Sequence, residues 1–168
     1  GYSAGLVTQR FGSKDGMLHA LVQRMTTEWG ASQIAPRTAS GDGLDAVAVM
    51  LEGIRDSATG NPDMVRALYV LMFEAIRIPV LHDDMVKLHR NQRAHLANAI
   101  ENAQKHGEAR TEVDGQQVAN LMVAALRGIS YQWLLDPEFP FQQTITDLIQ
   151  LVQRDLAPRD DLCRPSET

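Results

Sequence analysis

Residues 1–25 read Gly1-Tyr2-Ser3-Ala4-Gly5-Leu6-Val7-Thr8-Gln9-Arg10-Phe11-Gly12-Ser13-Lys14-Asp15-Gly16-Met17-Leu18-His19-Ala20-Leu21-Val22-Gln23-Arg24-Met25. The pattern predicts a short helix from Ser3 to about Phe11, a Gly12-Ser13 turn and a longer helix. Ser13 suits the cap of that second helix, because its hydroxyl can accept from a first-turn backbone N–H. Asp15 stands in the first turn, where the helix dipole favours negative charge. Met17, Leu18, Leu21, Val22 and Met25 recur at helical spacing, which carries the helix to about Trp29. In the short helix Ser3, Thr8, Gln9 and Arg10 are free to face outward while Leu6, Val7 and Phe11 pack inward. Small residues such as Ser3 and Ala4 near its start would let it enter a major groove, where bulk is excluded. Thr and Gln can hydrogen-bond base edges, and Arg and Lys can pair with phosphate or guanine. Pattern alone describes a capped surface helix more readily than a recognition helix.

Charge is distributed unevenly. Residues 1–25 hold Arg10, Lys14 and Arg24 against Asp15, a balance of +2, while the remainder carries −7 and the whole chain −5. A small basic head on an acidic body suits a head that meets phosphate and a body that does not. No apolar run approaches the roughly 20 residues of a membrane span, and no basic-then-apolar leader is evident. The expectation is a cytoplasmic protein without membrane contact. The lone cysteine, Cys163, reads as an incidental exposed thiol.

Outward from the head, the chain reads as helices with short punctuated loops, an all-α pattern. A Pro/Ser/Gly-containing loop covers about Ser32 to Gly43. A helix then runs from Leu44 to Ala58, with Val47, Met50, Leu51 and Ile54 on one face. Asn61-Pro62-Asp63 supplies cap, first-turn proline and first-turn acid for the next helix. That helix, to about Ile76, is apolar nearly all round and is expected to be buried. Pro79 ends it. A long helix follows from about Leu81 to Lys105. Asp114 opens another as a capping box with Gln117, running to about Leu135. The last spans about Phe141 to Leu156, and residues 159–168 read as a disordered tail.

The helix over 118–135 shows two apolar stripes: Val118, Met122, Ala125, Ile129, Trp133, and Val123, Leu126, Ser130, Leu134. One is expected to face the chain's own core and the other a second copy. Ala124 and Gly128, four apart, would let another backbone approach. With Tyr131, Leu135, Ile145, Leu148, Ile149 and Val152 they form the expected dimer face, an intermolecular four-helix bundle.

Residues Gly1 to Leu18 resemble the end of the helix-turn-helix of TetR-family regulators, most specifically at Phe11-Gly12-Ser13-Lys14-Asp15-Gly16-Met17-Leu18. Gly128-Ile129-Ser130-Tyr131-Gln132-Trp133-Leu134-Leu135-Asp136-Pro137 is more loosely similar to the family's dimer-forming helix. The resemblance implies a recognition helix ending at Phe11 and a DNA-phosphate contact at Lys14. It implies a remnant of a helix-turn-helix (1–25) followed by a helical ligand-binding and dimerisation domain (26–158). Thr8 stands where the family commonly has Tyr, which shortens the reach at that contact. The chain opens on Gly1 rather than Met. The expectation is that the first two helices of the DNA-binding domain lie upstream and that the chain as given binds operator DNA poorly.

The family further implies an effector pocket among the middle helices and a repressor released from its operator when the pocket fills. Trp29, Met50, Ile54, Met64, Leu68, Tyr69, Met72, Phe73, Leu88, His89 and Met122 fit such a pocket by residue type. Methionines adapt to varied apolar ligands, so a small apolar effector is expected, with Tyr69 or His89 as polar anchor. His82, Asp83, Asp84, His89 and His95 lack the i, i+4 histidine pair of a metal site. No phosphate loop or nucleophile motif is present, so neither metal, cofactor nor enzyme activity is expected. The alternative is a stand-alone helical dimeric small-molecule-binding module without DNA binding.

Overall fold

The computed structural model describes residues 10–29 and 43–158, with side chains 26–29 excepted. Among these it is all-helical: α1 (Lys14–Trp29), α2 (Leu44–Gly60), α3 (Pro62–Glu74), α4 (Pro79–Lys105), α5 (Gly115–Leu135) and α6 (Phe141–Leu156). The expected recognition helix up to Gln9, most of the loop before Gly43 and the tail from Arg159 lie outside the described residues.

Local chemistry sets the helix ends. Gly12 takes a left-handed φ of 73°, and Ser13 Oγ accepts from the Gly16 N–H at 3.0 Å. Gly16 is itself required, since a Cβ there would stand 2.2 Å from the Phe11 carbonyl oxygen. Asn61 Oδ1 accepts from the Met64 N–H at 3.1 Å, with Pro62 opening α3. Helix α3 already ends at Glu74, five residues short of Pro79, which instead starts α4 two residues before Leu81. The proline occupies the first turn of α4, where its missing N–H has no intrahelical partner to lose. Asp114 caps α5 by accepting from both Gln116 and Gln117 N–H at 2.9 and 3.1 Å. Among the described residues no bond runs from the Gln117 side chain back to Asp114, so the box is one-sided.

Two apolar clusters organise the fold. The larger joins α2, α4, α5 and α6 around Leu51, Leu96, Ile100, Met122, Leu126 and Ile145. The smaller joins α1, α3 and the start of α4 through Val22, Met25, Leu71, Ala75, Leu81 and Met85. At 27 residues and about 1.5 Å per residue, α4 is long enough to serve both, its first half in one cluster and its second half in the other.

Two expectations about buried faces are corrected here. Helix α3 is not buried all round: Val70 is 57% and Phe73 56% exposed, and Ile76, just past its end, is 78% exposed, because the described elements cover that side only at the edge of Phe73. Both expected stripes of α5 turn inward; Met122, Ile129, Val123, Leu126 and Ser130 are all buried in this one chain. The outward face is a third stripe of Leu121, Ala124, Gly128, Tyr131 and Leu135.

Candidate functional site

A cavity of about 50 Å³ lies where the two clusters meet. Five helices contribute to it. Its apolar wall is Met25 of α1, Ile54 and Ala58 of α2, Met64, Val65 and Leu68 of α3, and Leu88 of α4. Its polar side is Ser57, Tyr69, Gln92, Arg127 and Ser130. The volume leaves room for a few waters at most and is well below the roughly 300–1,000 Å³ of a site enclosing a drug-sized ligand.

The polar side is a chain of directed bonds. The Tyr69 hydroxyl donates to the Arg127 main-chain carbonyl at 2.8 Å. Arg127 Nη2 donates to Gln92 Oε1. Gln92 is only 7% exposed, and its Nε2, like Arg127 Nε, is buried without a hydrogen-bond partner among the described residues. Burial pushes the Arg127 guanidinium below its ordinary value, with Tyr69 acting in the other direction; a guanidinium nonetheless keeps its charge at neutral pH. Among the described residues no carboxylate pairs with it, and none lines the cavity.

Of the residues expected at a ligand pocket, Ile54, Met64, Leu68, Tyr69 and Leu88 line this cavity. Met50 and Met122 sit deep in the larger cluster instead. Met72 packs on the smaller one. Phe73 lies outside, edge-on to Tyr131 with ring centroids 6.0 Å apart. His89 is not a lining residue: its Nδ1 bonds the Met85 carbonyl one turn back at 2.7 Å. Burial pushes the His89 pKa down, partly offset by that bond and reinforced by Arg127 and Arg93. The Trp29 side chain lies outside the described residues.

Gln92, Arg127 and Ser130 escaped sequence reasoning as pocket residues. One signal was present: Arg127 is the only charged residue between Gln117 and Asp136, in an otherwise apolar helix.

At the head, Ser3, Ala4, Thr8 and Gln9 lie outside the described residues. Arg10 is exposed with its guanidinium 5.8 Å from the Phe11 ring centroid, and Lys14 is exposed at the first position of α1. Asp84, considered above with the neighbouring histidines, instead ties α1 to α4. It accepts from His19 Nδ1 at 2.6 Å and Gln23 Nε2 at 2.7 Å. On the expected dimer face, Ala124, Gly128, Tyr131 and Leu135 are exposed and Leu148 is half-buried. Ile145, Ile149 and Val152 are buried in the chain's own core and cannot face a partner; α6 turns Leu151 outward instead.

A crystal structure of a Rhodococcus sp. protein described as a TetR-family transcriptional regulator shares this fold. Its TM-score is 0.73 at 23% identity, covering 92% of this chain and 81% of that one. In sequence, the family described as BetI-type transcriptional repressor, C-terminal, matches residues 43–157, and the chain belongs to it, a TetR-family regulator. No curated protein matches the sequence. No helix among the described residues is long and apolar enough to cross a membrane.

Proposed function

We propose that this chain is the effector-binding and dimerising body of a DNA-binding transcriptional repressor, released from its operator when a small molecule fills the cavity. The observation that carries this reading is the cavity's position. It is bounded on one side by Met25 of α1, the helix that continues directly from the Gly12-Ser13 turn and the head. A ligand larger than about 50 Å³ must part the walls. The α2 and α5 walls belong to the larger cluster, whereas Met25 of α1 and Met64 and Leu68 of α3 belong to the smaller, with Val65 alone of the α3 wall on the larger, so in this reading the smaller cluster is the side that yields. Lys14, eleven residues before Met25 on the same helix, would move with it. A ligand that binds only the parted form shifts the population toward it.

Dimerisation in this reading uses the outward stripe of α5, where Leu121 and Leu135 are 71% and 68% exposed, together with Leu148 and Leu151 of α6. The test is a thermal-shift screen followed by gel shift of the native protein on its own promoter fragment. A ligand at about 100 times its Kd stabilises the fold by about 2.7 kcal/mol and should release the DNA. Stabilising ligands that leave the DNA complex intact at saturation would overturn the coupling.

A further inference from the structure

We infer that the cavity's ligand is an amphipathic organic anion, its carboxylate held by Arg127 and Gln92 and its apolar remainder lying against Met25, Met64, Leu68 and Leu88. This ligand class holds only if the cavity is the effector site proposed above.

The inference stands on the donors left over inside the cavity. Arg127 is a cation in a buried site with no carboxylate partner among the described residues, and such a charge is costly to leave uncompensated. Its Nη2 is engaged by Gln92 Oε1. That contact also fixes the amide, because the reversed orientation would set one donor against another. Gln92 Nε2 is therefore held close to the guanidinium, and both it and Arg127 Nε are buried and unpartnered among the described residues. The site thus presents two unpartnered donors and one positive charge, and among the described residues no anionic acceptor faces them; the Ser57, Tyr69 and Ser130 hydroxyls are neutral. A carboxylate supplies two acceptor oxygens and the opposite charge. A cation would meet like charge, and a neutral alkyl ligand would leave both donors unpaired. The rest of the lining is apolar or methionine, so the anion must carry a hydrocarbon portion. Tyr69 does not compete for the role, since its hydroxyl already donates to a main-chain carbonyl.

The experiment is calorimetric titration with octanoate, decanoate and phenylbutyrate against octanol, decanol and octyltrimethylammonium. Wild type should bind the carboxylates at least about tenfold more tightly than the matched alcohols and reject the ammonium. Gln92→Glu places a carboxylate of nearly equal volume beside Arg127. It should abolish the preference while alcohol binding persists; Arg127→Gln should do the same if it folds. Leu68→Trp, which fills the cavity, should remove all binding. Equal binding of alcohol and carboxylate by wild type, or a preference that survives in Gln92→Glu, overturns the anion while leaving an apolar effector site in place. Binding that survives in Leu68→Trp places the ligand elsewhere and overturns the assignment. If no probe binds at all, the effector site itself fails, and the anion with it.

Discussion

The Tyr69 hydroxyl reaches the Arg127 carbonyl at 2.8 Å and so joins helix α3 to the middle of helix α5. This bond holds the cavity narrow on its polar side. Tyr69→Phe removes it without changing the packed ring. The expected cost is about 1 kcal/mol, a fall in Tm of about 3 °C for a chain of this size. Thermal unfolding followed by circular dichroism measures it. An unchanged Tm would mean that packing alone positions α3.

Asp84 accepts two bonds from α1, from His19 and Gln23, and is itself little exposed. Asp84→Ala removes both acceptors at once. Because these two bonds add to the packing of α1 on the smaller cluster, its amides over 14–25 should exchange faster. Those of α2, the second half of α4, α5 and α6 should keep their protection. Exchange that rises uniformly across the chain would show that the two clusters open as one unit.

His89 is half-buried with its pKa pushed below the ordinary 6.5 by burial. As pH falls through about 6.5, the unfolded chain takes up a proton at this residue before the folded chain does. Stability contributed by a neutral His89 is therefore complete above that value and declines below it, until the folded form also protonates. His89→Gln should retain more of its Tm than wild type between about pH 7 and about pH 5. The other histidines are common to both proteins, so the difference isolates this one. Parallel pH profiles would show that the folded form accommodates the charged ring.

The helices were legible because their ends carry chemistry that acts locally. Ser13, Asn61 with Pro62, and Asp114 each marked a start within a residue or two of the observed one. Which face of a helix is covered depends on what lies opposite, and local pattern does not carry that. Helix α3 looked buried and is half bare, and α5 buries both stripes that seemed to need separate surfaces. The cavity followed the same division. Ile54, Met64, Leu68, Tyr69 and Leu88 were recognisable as apolar or amphipathic wall residues. Gln92 is one polar residue on a helix full of them, and only packing shows that it faces inward. Arg127 was conspicuous in an apolar helix, but its partner lies 35 residues away.

Gly128 gives the sharpest separation between a monomer and a dimer. A Cβ built there meets nothing within 4 Å among the described residues, so a lone copy gains from substitution. Gly128→Ala should then stabilise a monomer by up to about 1 kcal/mol through helix propensity. In a dimer that packs α5 against its symmetry mate, the small residues Ala124 and Gly128 are where the backbones approach. Gly128→Leu would hold them apart. Analytical ultracentrifugation should find wild type dimeric and Gly128→Leu shifted toward monomer, with helical content unchanged. Leu121→Glu should act in the same direction by placing charge in the middle of the apolar stripe. A wild type that sediments as monomer, with Gly128→Ala simply more stable, would remove α5 from the dimer interface.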